Sequence, residues 1–488
     1  MKIDLRFLLN RLPLRLMHRA VAMCSKRELW SFVLPKCDEP SEPAVRIDEL
    51  SFFNRNIETN AEQRSAVRNI VLGLHRPYPF LLFGPPGTGK TVTLVEALKQ
   101  VCLLIPSSHI LVVAPSNSAC DVLAERLLEQ LKPSQIFRMY SSSVQRSKLS
   151  KKLQDCSNYS TRTGIFYYPA VEDLQKYRVV VATLAGSGRQ VHSIFVPMNH
   201  FTHIFVDEAG QSLEPECLIP VVGLMSPWNP RKKGTGGHLI LAGDPLQLGP
   251  VICNQWCRDH GLGMSLLERL MTLPPYQRQA DGCYNPRMLS KLLKNFRSHK
   301  DILEIPNERF YDGELQACAD KKVSESMLQW EGLPCKGCPL LFHAVTGRDL
   351  TEDDSPSHFN PEEIQLVVHY VETLLKGSSL LSSTLKEEDI GIVSPYRQQV
   401  VKISSVLAKK GHAGVSVGST EQFQGRECPV IIITTVRSDG DHSGGNPCKS
   451  LGFLTNQKRF NVAITRAKAL LIVIGNPHTL SGDPCWGR

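Results

Sequence analysis

The sequence predicts an α/β chain of two tandem parallel-sheet domains, and three observations carry that expectation. Short apolar, β-branched runs recur at 80–83 (FLLF), 110–113 (ILVV), 179–182 (VVVA), 203–206 (HIFV), 239–242 (LILA), 390–393 (IGIV), 430–433 (VIII) and 470–474 (LLIVI). Their hydrophobicity is continuous rather than alternating, as strands buried on both faces of a parallel sheet require. Between them lie amphipathic segments at helical spacing, such as Leu94, Val95, Leu98 and Val101, or Leu123, Leu127, Leu128 and Leu131. Finally, the first run breaks at once into GPPGTGKT (84–91). Strands alternating with helices bind ligands at the strands' carboxyl ends, and that is where this stretch falls.

The spacing Gly84-x-x-x-x-Gly89-Lys90-Thr91 is that of a phosphate-binding loop between a strand and a helix beginning near Thr91. Glycines such as Gly84, Gly87 and Gly89, set among Pro85, Pro86 and Thr88, let the backbone approach a ligand so that successive N–H groups face phosphate oxygens. The helix start adds partial positive charge. Lys90 is expected to reach the β/γ-phosphates of a nucleoside triphosphate and the Thr91 hydroxyl to hold Mg²⁺.

Two acids follow the run 203–206. Asp207 is expected to hold Mg²⁺ and Glu208 to orient or deprotonate the attacking water. Alone, such a pair is a solvated loop; the phosphate loop gives it a task. The next run ends in GDPLQLGP (243–250), which places Gln247 to sense the γ-phosphate. Gln63, in TNAEQ, precedes the first strand and can read an adenine edge with its amide. The second half lacks a phosphate loop but carries Arg297 and Arg466 in loop contexts. Arginines of a second domain can stabilise the charge of a transferring phosphoryl group.

With 488 residues, 42% hydrophobic and 21% charged, the chain has the composition of a globular protein of two or three domains. Its net charge of +9 permits a nucleic-acid partner without requiring one. No apolar run nears the roughly 20 residues that span a bilayer, so no membrane partner is expected. The 15 cysteines form no disulfide-like framework, and neither Cys335 with Cys338 nor Cys253, Cys257 and His260 has a second ligand pair for zinc. Reduced thiols in the cytoplasm or nucleus are expected. The first 23 residues are arginine-rich like a transit peptide, but no serine precedes Ser25.

The expected organisation is a partial accessory region at 1–57 and a first domain at 58–273 with a small insertion near 138–178. A linker at 274–286, a second domain at 287–478 and a tail at 479–488 complete it. The loops at 347–361 and 437–450 are Gly/Asp/Ser/Pro-rich surface excursions.

The segments FGPPGTGKTVTLVEA (83–97), APSNSACD (114–121), FVDEAGQSLEPE (205–216), LAGDPLQLGPV (241–251), KNFRSH (294–299), SPYRQQV (394–400), GSTEQFQGRE (418–427) and RFNVAITRAKALL (459–471) follow one another along most of 58–478. Taken together they resemble superfamily 1 helicases of the class containing the nonsense-mediated-decay helicase. Within that class they look most like the Moloney-virus-resistance ("Mov-ten") and Armitage RNA helicases. The resemblance implies two RecA-like domains acting on ATP, with single-stranded RNA as partner and 5′-to-3′ movement. It assigns Gln63, Gly87, Lys90, Thr91, Asp207, Glu208, Gln247, Arg297, Glu427 and Arg466 to the nucleotide cleft. Pro115, Ser116, Asn117, Thr183, Phe296, Pro395 and Thr420 fall on the RNA track. Ser, Thr and backbone amides grip phosphates without reading sequence, and an aromatic such as Phe296 can stack on any base.

The family also carries an N-terminal region and a small β-barrel. Here 4–21 resembles the barrel unit's returning edge, so the chain is expected to start partway through it and to stop just past the last motif. The alternatives are an RNA-binding ATPase clamp or scaffold with little unwinding, or a DNA helicase of the same superfamily. The family further implies a monomer working with silencing or mRNA-decay factors on messenger RNA and retroelements. Cytoplasmic ribonucleoprotein granules (P-bodies) are the implied location, with a nuclear pool.

Overall fold

The computed structural model describes residues 10–27, 29–36, 43, 49–141, 144, 149–192, 200–225, 236–353, 355–377, 385–438 and 451–487. Most of the loop expected at 437–450, part of the insertion and residues 4–9 lie outside them. Two compact units emerge. The first comprises Met1–Pro85, Gly89–Pro245 and Gly249–Leu292; the second comprises Leu293–Arg488 with the short pieces Pro86–Thr88 and Leu246–Leu248.

The first unit is built on seven strands: β1 (Phe80–Phe83), β2 (Ile110–Ala114), β3 (Ile136–Arg138), β4 (Val179–Thr183), β5 (His203–Val206), β6 (His238–Gly243) and β7 (Leu289–Lys291). Their order is β3-β4-β2-β5-β6-β1-β7, and every pairing is parallel. The apolar runs of the sequence are thus the central strands, buried on both faces. Around them lie α1 (Leu12–Lys26), α2 (Ala61–Leu72), α3 (Lys90–Leu104), α4 (Asn117–Leu128) and α5 (Glu214–Leu224). Local chemistry sets the helix ends. The Asn60 side chain accepts from the Gln63 N–H at the start of α2, and Gly73 stops that helix in the left-handed region at φ 64°. Ser116 caps α4 by accepting from the Ala119 N–H at 3.2 Å. Leu94 and Leu98 of α3 and Leu123 of α4 pack on Val112, Phe205 and Ile240 in one core. Each such side chain contributes about 1.5–3 kcal/mol by leaving water.

Sheet order positions the site. β1 lies beside β6, which lies beside β5, with Phe83 opposite Gly243 and Val206 opposite Leu241. Residues 84, 207 and 244 therefore leave the sheet side by side at its carboxyl edge.

Two expectations shift. The segment 274–286 is packed on the first unit: buried Tyr276 donates from its hydroxyl to the Pro79 carbonyl at 2.7 Å. β7 then pairs with β1, Leu81 opposite Leu289, and carries the unit to Leu292. At the other end, α1 lies on α5, with the Arg27 guanidinium donating to the Val222 carbonyl.

The second unit holds β8 (Leu340–Ala344), β9 (Ile390–Val393), β10 (Ser416–Gly418), β11 (Cys428–Thr434) and β12 (Ala467–Gly475) in the order β8-β12-β11-β9-β10, again all parallel. Its helices include α6 (Lys300–Phe310), α7 (Pro361–Gly377), α8 (Arg397–Lys409) and α9 (Gln457–Ile464). Val367 and Val371 of α7 and Ile403 of α8 cover one face of the sheet, and Ile302 of α6 and Phe460 of α9 the other.

At the amino-terminal edge of the first sheet, His203 and His238 stack with ring centroids 4.1 Å apart, and His75 meets His238 edge-on at 5.5 Å. Among the described residues, both ring nitrogens of His75, Nε2 of His203 and Nδ1 of His238 find no hydrogen-bond partner. Burial first, and then the charge of Arg76 with the neighbouring rings and Arg178, keeps all three neutral; His75 and His203 fall to about 3. Each titrates near 6.5 once unfolded, so this stability is in place above about 6.5 and is lost as pH falls. The loss is roughly 1.4 kcal/mol per pH unit for each histidine. Urea midpoints measured from about pH 7 down to about pH 4 are expected to fall steeply, and less steeply in His75→Phe. Equal slopes in the two proteins would exclude the histidines as the cause.

Candidate functional site

The loop after β1 turns the chain into α3, whose first residue is Lys90. Gly87 and Gly89 sit at φ 70° and 79°, in the left-handed region that side chains rarely enter. Gly84 is required for another reason: a Cβ there would lie 2.5 Å from Cβ of Lys90. The cradle therefore depends on glycine at these three positions. Beneath it, the buried Gln63 amide donates to Thr93 Oγ1 at 2.9 Å and to the Gly89 carbonyl at 3.4 Å. The residue expected to read an adenine edge thus also braces the loop against the first turn of α3.

Lys90 points at the carboxyl end of β5. Its Nζ lies 3.1 Å from Asp207 Oδ1 and 2.6 Å from Glu208 Oε1. Burial alone would lower the ammonium's pKa, but the two carboxylates outweigh it and raise it. Asp207 is raised in turn, by burial and by Glu208, while Lys90 pulls it down. With Lys90 raised as the stronger trend, the cluster is an ammonium shared between carboxylates. The Thr91 hydroxyl donates to Asp207 Oδ2 at 3.3 Å, so the two oxygens expected to hold Mg²⁺ are already neighbours. Glu208 has a left-handed backbone, φ 53°, and its Oε2 accepts from Gln211 Nε2 at 2.6 Å. Close packing forces the turn: a Cβ on Gly210 would stand 2.8 Å from the Asp244 carbonyl oxygen.

In the second unit, Glu427 sits between two cations, 2.5 Å from Arg297 Nε and 2.8 Å from Lys468 Nζ. Burial would raise its carboxyl, but Arg297 and then Lys468 bring it down to about 2. Arg297 also donates to the Thr465 carbonyl at 3.0 Å. Arg466, 2% exposed, donates to the Val462 carbonyl at 2.9 Å and to Gln247 Oε1 at 3.2 Å. Glu427, expected among the cofactor-binding residues, here fixes the aim of Arg297.

The residues expected on an RNA track divide. Ser116 is exposed, and Pro115, Asn117 and Thr183 are half-buried after β2 and β4. In the second unit Phe296 is 47% exposed and Pro395 half-buried, but Thr420 is only 2% exposed. The covered Thr420 side chain departs from the expectation of a contact residue.

Sequence reasoning missed Gln211 and Lys468, which orient Glu208 and Glu427. Both stand inside the quoted motifs, which was the only available signal. It also missed Arg138, wholly buried, which joins Asp121 Oδ1 at 2.8 Å and Asn117 Oδ1 at 3.0 Å.

A glycine cradle opening a helix, facing an acid pair on a nearby parallel strand, defines a P-loop nucleotide-binding protein of the α/β class. Two protein-family models, each described as an AAA domain, match residues 58–165 with 141–255, and 262–478. Helicase MOV-10 of Gallus gallus is 44% identical over 499 residues, 100% of this chain and 52% of that protein. RNA helicase Mov10l1 of Homo sapiens is 47% identical over 457 residues, 92% of this chain and 36% of that protein. RNA helicase armi of Drosophila melanogaster is 32% identical over 524 residues, 99% of this chain and 43% of that protein. The chain is thus related, along nearly all of its own length, to the helicases MOV-10, Mov10l1 and armi. It spans about half, or less, of the length of these relatives.

The cradle makes a direct prediction. A methyl group at Gly89 would stand 2.7 Å from Gln63 Nε2 on a left-handed backbone. Gly89→Ala is expected to weaken binding of a fluorescent ATP analogue by about tenfold or more, from strain of about 1–3 kcal/mol. Unchanged affinity in that titration would mean that the loop tolerates a side chain.

Proposed function

We propose that this chain is an ATP-driven RNA helicase, moving 5′-to-3′ on single-stranded RNA. The observation that carries the assignment is the cluster of Lys90, Asp207 and Glu208 beneath a glycine cradle, in a chain related to helicases along its length. Lys90 exchanges its two carboxylates for the β/γ-phosphates of ATP, which leaves Glu208 free to take a proton from the attacking water. Gln211 holds that carboxylate in place. Thr91 and Asp207 are the residues to hold Mg²⁺, which when bound offsets phosphate charge. Arg297 and Arg466, each fixed by backbone carbonyls, add positive charge for the transferring phosphoryl group. Pro115, Ser116, Asn117, Thr183 and Phe296 are proposed to bind RNA through its backbone and base faces. Messenger RNA, small-RNA silencing and retroelement control in cytoplasmic granules are the proposed setting.

ATP turnover with and without single-stranded RNA, then with DNA of the same sequence, tests the assignment. RNA is expected to stimulate turnover, and strand separation to need a 5′ tail. Lys90→Ala is expected to abolish turnover, whereas Glu208→Gln should bind ATP and RNA and then stall. Wild-type rates in both variants would remove the two residues from the chemistry; separation only from a 3′ tail would reverse the polarity.

Arg297→Ala and Arg466→Ala are each expected to lower kcat by about 10³ or more, with a smaller effect on nucleotide affinity. Values of kcat close to wild type would reduce both arginines to structural cations.

A further inference from the structure

Between β3 and β4 the first unit carries a small module with its own core of Tyr140, Leu149, Tyr159 and Phe166. Tyr159 and Phe166 bridge as an antiparallel pair, so 159–166 forms a tight hairpin. Its core-facing ring is Phe166. On the outside, Ile165, Tyr167 and Tyr168 are 61%, 45% and 53% exposed, and Arg162 at the tip is exposed too. Large apolar side chains gathered at one surface mark a contact site more often than chance exposure does.

What holds the hairpin is as informative as what it shows. The Asn158 amide donates to the carbonyls of Tyr140 and Tyr167 at 3.0 and 2.7 Å, and its Oδ1 accepts from the Tyr140 N–H at 2.8 Å. The Tyr140 hydroxyl donates to Asp121 Oδ1 at 2.7 Å. Arg138 donates to the same oxygen and to Asn117 Oδ1, with its guanidinium 4.0 Å from the Tyr140 ring centre. An unbroken chain of polar contacts therefore runs from Asn117, at the start of α4, to the backbone of Tyr167. Burying an arginine and an asparagine is costly unless every polar atom is satisfied. Here that buried network fixes a surface hairpin rigidly to the segment 115–117.

The place is also fixed. Ala114 and Thr183 are opposite each other at the carboxyl ends of β2 and β4, and Tyr140 lies just beyond β3 at the same edge. The module is basic, with seven Lys or Arg against three Asp or Glu in 139–178. Exposed tyrosines tied rigidly to Asn117, in a segment that also exposes the cations Lys151, Lys152 and Arg162, fit a chain of stacked bases with a phosphate backbone. An apolar protein groove would not call for the cations.

We propose that this hairpin extends the single-stranded RNA track of the first unit, with Tyr167 and Tyr168 stacking on bases. The assignment rests on the RNA-binding function proposed above. Fluorescence anisotropy with labelled oligouridine is to be compared for the wild type, Y167A/Y168A and Y167F/Y168F, with ultraviolet cross-linking mapped by peptide. The alanine pair is expected to weaken binding by roughly tenfold or more, and the phenylalanine pair to keep it, because the ring face does the stacking. Cross-links are expected in the peptide containing 159–168. Thermal melting checks that the alanine pair is folded. A wild type that binds no RNA overturns the proposed function and this assignment together. A wild type that binds, with an alanine pair of equal affinity and no cross-link to the hairpin, overturns this assignment alone and leaves the patch to a protein partner.

Discussion

A lysine ammonium, with only 11% of its side chain exposed and held between two carboxylates, is the constraint around which the first unit is organised. A cation at such depth is tolerated only with partners, and removing one of them would leave a charge buried without compensation. The partners come from a strand more than a hundred residues downstream, so the sheet must bring β1 and β5 to the same edge. It does so with β6 alone between them. The tight approach of Gly210 to Asp244 and the left-handed turn at Glu208 follow from crowding three strand ends into that space. In this arrangement the lysine occupies the acids. Both carboxylates share this one ammonium, so the charge of each depends on the same side chain.

The second unit treats its charges differently. Arg297 and Arg466 are tied to backbone carbonyls, which do not titrate and cannot be drawn off by a competing anion. Glu427 adds a carboxylate that stays ionised at any ordinary pH, because Arg297 and Lys468 hold it near 2. Guanidinium groups set in this way lose little freedom when they meet a ligand. In the first unit the cation is held by carboxylates alone; in the second, backbone carbonyls share the task.

Much of this was legible in the sequence because it rests on local rules. Continuous apolar runs gave the central strands, and glycine spacing gave the loop whose left-handed turns the structure contains. Strand ends next to acids gave Asp207 and Glu208. Three-residue strands escaped detection: Ile136–Arg138, Leu289–Lys291 and Ser416–Gly418 are too short for a hydrophobic period to register. Leu340–Ala344 is an edge strand with an alternating exposure that resembles a loop. Partnerships were harder still. A wholly buried Arg138 reads as a surface charge until Asp121 and Asn117 are seen beside it. Thr420, 2% exposed, carries no mark of its burial in the sequence around it.

The last strand of the first sheet carries a practical lesson for anyone dividing the molecule. β7 follows a proline-rich stretch that invites a cut, yet it supplies one side of the strand that leads into the glycine cradle. A fragment ended at residue 273 would strip β1 of a neighbour and bare backbone N–H and C=O groups of Leu81 and Phe83. Such an edge invites pairing with other copies, and a preparation of that length would be expected to clump. Any excised piece meant to keep β1 paired on both sides should extend at least through Leu292.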